Sequence, residues 1–268
     1  MFFHDLMRAI ASLPGVRAVA KAGGTEIQAD ASDIDVHAFC DRIPQKSERE
    51  EMLTSFGGAV EKYTLFTGYN EFWGVVDLIY TDGAPICVMY KDGGRTLAYL
   101  DSVLAGERLD KEGGFFYPTG LCATIMNLGV FHEDGFLQAA RDRLADYPAI
   151  LSEKLVERHI GKLRDMEDMD SAVAKRDPFF YHCTLDESLD HFFQSLFAMN
   201  RVYYPSRKRN ISYIEKFSIK PRDCVERLYQ AVSLGGKPET LQESSQVWQG
   251  LVKEMTELAA GKFLPGCV

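Results

Sequence analysis

The segment Ser32-Asp33-Ile34-Asp35-Val36 constrains this chain more than any other. Its alternation of acid and apolar residue predicts a β-strand with one buried and one polar face, Asp33 and Asp35 on the polar side and Ile34 and Val36 on the other. At a rise of about 3.3 Å per residue the two carboxylates stand about 6 to 7 Å apart along the backbone, close enough to grip hard divalent cations between them. The segment closely follows Ala22-Gly23-Gly24-Thr25, a glycine turn. Paired acids beside such a turn point to phosphoryl or nucleotidyl transfer.

The remaining composition narrows the setting. A chain of 268 residues has room for two modest domains, and a net charge of -9 argues against nonspecific binding to nucleic acid or anionic membranes. Cys40, Cys87, Cys122, Cys183, Cys224 and Cys267 form no CxxC pair, and Met1 to Leu6 lack the basic start of a leader. No apolar run reaches the roughly 18 residues of a membrane span. A reduced, soluble, cytoplasmic protein without membrane attachment is the expectation.

The organisation reads as two parts. Phe3, Leu6, Met7, Ile10 and Leu13 fall at helical spacing ahead of the stop Pro14-Gly15. Strands are expected at 16–22, from Asp33 into Ala38-Phe39-Cys40, at 63–67, at 73–80 and at 86–90, the last two joined by a turn at Thr81-Asp82-Gly83. Helices are expected at 45–56 and 97–105. Beyond a boundary loop at 111–114 the pattern becomes helical: 121–131, 136–167 with a break near Pro148, 185–204, 223–233 and 239–260. The predicted fold class is α+β, a mixed sheet with flanking helices over 1–114 and a helical bundle over 115–268. Within the sheet, Asp77 is the one acid in the apolar run Val75 to Ile79. It costs several kcal/mol there unless paired or bound to a cation, and it is the natural third carboxylate.

In these motifs the chain resembles the nucleotidyltransferase superfamily typified by DNA polymerase beta, including the aminoglycoside and lincosamide nucleotidyltransferases. The matching positions are Gly23, Gly24, Thr25, Ser32, Asp33, Asp35 and Asp77. The resemblance implies that Asp33, Asp35 and Asp77 hold two Mg²⁺ ions that carry a nucleoside triphosphate, ATP by default, with Gly23, Gly24, Thr25 and Ser32 at the nucleotide. Asp77 would also help to deprotonate the acceptor hydroxyl. It implies transfer of a nucleoside monophosphate to a small hydroxylated acceptor and release of pyrophosphate. Two departures stand out: the loop between Gly24 and Asp33 is short and lacks the common middle glycine or arginine, and His37 occupies the acid face where relatives carry an apolar residue.

The helical part resembles the same group only through Asn200 to Pro205 followed by Lys208. Arg201, Arg207, Lys208 and Arg209 are the densest basic cluster, readable as a solvated helix end or as a triphosphate clamp led by Arg201 and Lys208. Two other readings compete. An Asp-x-Asp phosphatase of the haloacid-dehalogenase type would place its acids at the carboxyl end of an apolar strand, whereas here the apolar run follows them. A non-catalytic nucleotide-binding or interaction module would keep the scaffold and not the reaction.

Overall fold

The computed structural model describes residues 2–26, 32–112, 116–163 and 166–263. The chain divides into two compact units, Met1–Ser102 with Leu121–Asp146, and Val103–Gly120 with Tyr147–Val268. The α+β class is as the sequence predicts. The units, however, are not the linear stretches 1–114 and 115–268, because residues 121–146 return to the first unit and 103–120 belong to the second.

The first unit is built on a six-stranded mixed sheet: β1 (Val16–Lys21), β2 (Ile34–Cys40), β3 (Lys62–Leu65), β4 (Val75–Tyr80), β5 (Ile86–Asp92) and β6 (Gly129–Glu133). Their order is β3-β4-β5-β2-β1-β6, with β2 and β5 parallel and every other neighbouring pair antiparallel. Sequence periodicity extended a helix through 121–131. Instead α4 (Pro118–Asn127) stops and β6 pairs with β1.

One sheet face carries Ile34, Val36, Ala38, Ile79, Ile86, Val88 and Tyr90, packed with Phe3, Leu6, Met7 and Ile10 of α1 (Phe2–Ala11) and Leu53 of α2 (Lys46–Thr54). The apolar stripe of α1 supplies the force for this layer, since each fully buried Leu or Ile contributes about 1.5–3 kcal/mol. The N-terminus of α2 is closed by Glu48, whose carboxylate accepts from the Gln45 amide at 2.6 Å. The other face is closed at its far end by Phe136 of α5 (Phe136–Leu144), stacked on Phe39 at 5.1 Å. After β5, Asp92 caps α3 (Gly93–Leu104) by accepting from the Arg95 amide at 2.7 Å.

The second unit is helical. It contains α6 (Ala149–Leu163), α7 (Glu167–Ala174), α8 (Pro178–Met199), α9 (Ile211–Ile214), α10 (Cys224–Leu234) and α11 (Leu241–Lys262). Asp177 starts α8, accepting from the Phe179 and Phe180 amides at 3.0 and 3.1 Å, with Pro178 in the first turn. Trp248 of α11 is fully buried and its indole donates to Ser188 at 3.2 Å.

Candidate functional site

The glycine turn follows β1 directly. Gly23 and Gly24 have φ of +74° and +88°, a region that other residues rarely enter. Across from them, Gly129 opens β6. A Cβ there would lie 2.2 Å from the Gly24 carbonyl carbon and 2.4 Å from the Thr25 nitrogen, so the turn packs backbone against backbone. Three glycines therefore form this corner, and the third was not recognised from sequence. Thr25 is exposed, and residues 27–31 of the following loop lie outside the described residues.

The chain re-enters the sheet after Ser32 and Asp33, with Asp35 the second residue of β2, where the Ala22 amide donates to the Asp35 carbonyl at 3.0 Å. Asp33 and Asp35 share a face by strand alternation, and exposure falls along it: Asp33 is exposed, Asp35 half-buried, His37 and Phe39 buried. The Ser32 hydroxyl donates to Asp33 at 2.8 Å, which holds that carboxylate rather than leaving the serine free for a phosphate. The pairing of β2 with β5 sets Asp35 beside Cys87, His37 beside Met89 and Phe39 beside Lys91, so Lys91 also lies on the acid face. Burial, helped by the Lys91 charge, lowers the His37 pKa to about 3 and keeps the imidazole neutral.

Asp77 does not join the pair. Its register partner on β5 is Val88, and the partner of Val88 on β2 is Val36, which places Asp77 on the opposite sheet face from Asp33 and Asp35. It is fully buried and forms an ion pair with Arg49 of α2, whose guanidinium also donates to the Phe66 carbonyl at 2.8 Å. Burial pushes the Asp77 carboxyl up to about 7 against the pull of Arg49. The expectation of a third metal-binding and catalytic carboxylate at Asp77 is corrected on this ground. A lone acid in an apolar strand needs a partner, and an arginine meets that need as well as a cation does.

Among the described residues no three His, Cys, Asp or Glu side chains converge as a metal cage. Mg²⁺ does not require one. It is commonly bound by one or two carboxylates, several waters and the phosphates of its substrate. Asp33 and Asp35, one exposed and one half-buried on a single face, fit that mode.

In the helical unit, Arg201 follows the Asn200 cap of α8 with φ of +52°, and Lys208 lies in the loop before α9. Both are exposed, and neither side chain has a hydrogen-bond or ion-pair partner among the described residues. Arg207 differs. It pairs with Asp186 at 2.7 Å and with the buried Asp190, which also accepts from Tyr117 and from Lys111 at 3.1 Å. Burial acts to raise the Asp190 carboxyl, yet Arg207, Tyr117 and Lys111 hold it below the usual range. Arg207 therefore ties the 205–209 loop to α8.

A search of solved structures matches a nucleotidyltransferase-like protein from Exiguobacterium sibiricum at a TM-score of 0.50 and 10% identity, over 98% of this chain and 78% of that one. The fold is nucleotidyltransferase-like. A family described as a domain of unknown function (DUF4037) matches residues 118–209, which include β6, α8, Arg201 and the Arg207–Asp190 node. No curated protein matches. Among the described residues no helix is long and apolar enough to cross a membrane.

Proposed function

We propose that this chain transfers a nucleoside monophosphate from a nucleoside triphosphate, taken as ATP, to a hydroxyl of a small acceptor, with release of pyrophosphate. The observation that carries the reading is the corner where Asp33 and Asp35 share one sheet face beside a turn of two left-handed glycines fitted against Gly129. The nucleotidyltransferase-like fold supports it. Asp33 also immediately precedes β2 rather than following it, an arrangement opposite to that of an Asp-x-Asp phosphatase.

In this reading Asp33 and Asp35 hold Mg²⁺ together with the triphosphate, and the exposed position of Asp33 leaves coordination sites for phosphate and water. Bound there, Mg²⁺ would supply charge neutralisation at the transferred phosphoryl group. Gly23 and Gly24 let the backbone approach the phosphates without side chains in the way, and Thr25 stands in the place of the usual serine hydroxyl. Ser32 positions Asp33 through its hydrogen bond. Arg201 and Lys208, exposed cations of the helical unit, are kept as candidate triphosphate ligands on the resemblance alone. Asp77 serves the fold instead, and the acceptor proton needs another route, by Asp35 or by solvent.

The test is incubation with Mg²⁺, ATP labelled at the α-phosphate and a panel of hydroxylated small molecules. Transfer of label to an acceptor with stoichiometric pyrophosphate is expected, absent in Asp35→Asn. Hydrolysis of p-nitrophenyl phosphate without nucleotide transfer would overturn the reading.

A further inference from the structure

Deeper along the acid face lie two polar side chains for which the reaction above has no use. Lys91 retains 3% of its surface exposure and His37 retains 6%. The His37 Nδ1 is sealed from solvent without a hydrogen-bond partner. Lys91 has no hydrogen-bond or ion-pair partner among the described residues. Its neighbour Asp92 belongs to the opposite face, in register with Cys40, and is engaged in capping α3. The register of β2 on β5 sets Lys91 beside Phe39, two residues past His37 on the face that carries Asp33 and Asp35. A buried ammonium without an anion is among the most costly groups a core can hold. Burial lowers the Lys91 pKa to about 8, and an anion arriving from outside would offset the cost that remains.

We infer that Lys91, with His37 beside it, forms an oxyanion-binding pocket at the inner end of the Asp33–Asp35 face. The inference rests on the reading of that face as the substrate site. The oxyanion has two chemical sources, a phosphate of the nucleotide donor or an anionic group on the acceptor. In either case Lys91 acts by binding and positioning, and the buried His37 Nδ1, without a partner in the protein, is available to hydrogen-bond the same group.

The experiment is calorimetric titration of inorganic pyrophosphate in EDTA, and separately of MgATP, into wild type, Lys91→Met and Asp33→Asn/Asp35→Asn. Without metal the double aspartate variant is expected to bind pyrophosphate at least as tightly as wild type, since two repelling carboxylates are gone, and Lys91→Met at least tenfold more weakly than wild type. A parallel loss of MgATP affinity in Lys91→Met assigns the oxyanion to the donor; unchanged MgATP binding with lost pyrophosphate binding assigns it to the acceptor. Equal pyrophosphate binding by wild type and Lys91→Met, or none by wild type, overturns the pocket. Pyrophosphate binding that depends on Lys91 in a protein that never binds MgATP keeps the pocket and removes the nucleotide reading. Methionine is an apolar chain of similar length, so Lys91→Met should melt no lower than wild type. A marked fall in melting temperature would show a structural partner for Lys91 and also overturn the inference.

Discussion

Arg49→Met should destabilise the first unit strongly, and in a way that depends on pH. Arg49 and Asp77 are both almost wholly buried, between α2 and β4, and removal of one member of such a pair costs about 3–5 kcal/mol because the other charge is left behind. Asp77 has an escape through protonation. Its carboxyl already sits at about 7 with Arg49 present, against 3.8 for the free group, and moves higher once the guanidinium is gone. The folded variant then binds more protons than the unfolded chain from about pH 4 upwards through 7, so its stability falls as pH rises, by up to about 1.4 kcal/mol per unit. Wild-type Asp77 also holds its proton up to about 7, so urea unfolding followed by circular dichroism at pH 5, 6.5 and 8 should show a nearly constant deficit of Arg49→Met between 5 and 6.5 that widens at pH 8. Arg49→Met/Asp77→Leu should recover most of it, since an apolar pair of similar volume often replaces a buried ion pair without loss. The reasoning is refuted if Arg49→Met costs under about 1 kcal/mol at pH 8, or if the folded double variant no longer binds MgATP.

Further outcomes follow from other parts of the molecule. Gly129→Ala should cost about 1–3 kcal/mol through overpacking against Gly24 and Thr25, and should weaken nucleotide binding more than it lowers the melting temperature, read by calorimetry alongside thermal unfolding. Lys208→Ala should raise the KM for nucleotide with little change in kcat; an unchanged nucleotide dependence removes Lys208 from the site. In the helical unit, the His159 Nε2 donates to the Leu109 carbonyl at 3.0 Å and its Nδ1 meets the His191 Nδ1 at 2.9 Å, an arrangement in which at least one of the two imidazoles is neutral. Burial and then His191 lower the His159 pKa to about 4, against 6.5 unfolded, so the unfolded chain binds the extra proton between those values. Stability of this unit should fall as pH drops from 6.5 towards 4, and His159→Gln should flatten that dependence in thermal melts.

Much of this was legible in the sequence where information is local. The stripe of α1, the strand alternation of β2 and the break before α6 follow from side-chain periodicity and Pro148 alone. Two features were not. The face on which Asp77 lies is fixed by the register of β4 on β5, where Ile79 meets Ile86, and of β5 on β2, where Val88 meets Val36; alternation within one strand cannot reveal parity across three. β6 is five residues at a sheet edge, stabilised by pairing with β1 more than a hundred residues earlier, so nothing nearby distinguishes it from a continuation of α4. Lys91 was recoverable by the argument already applied to Asp77, since it and Asp92 end an apolar strand on opposite faces and only one of them can cap the helix that follows. The Gly129 contact was not, since it depends on what the fold brings opposite.

The most direct test of the site is calorimetric titration of a non-hydrolysable ATP analogue with Mg²⁺ into wild type and Asp33→Asn/Asp35→Asn. Metal-dependent binding by the wild type, lost in the double variant and retained in Arg49→Met/Asp77→Leu, is the predicted result. Binding that survives in Asp33→Asn/Asp35→Asn, or a folded wild type that binds no triphosphate with Mg²⁺, would contradict the assignment of this corner as a nucleotidyltransferase centre.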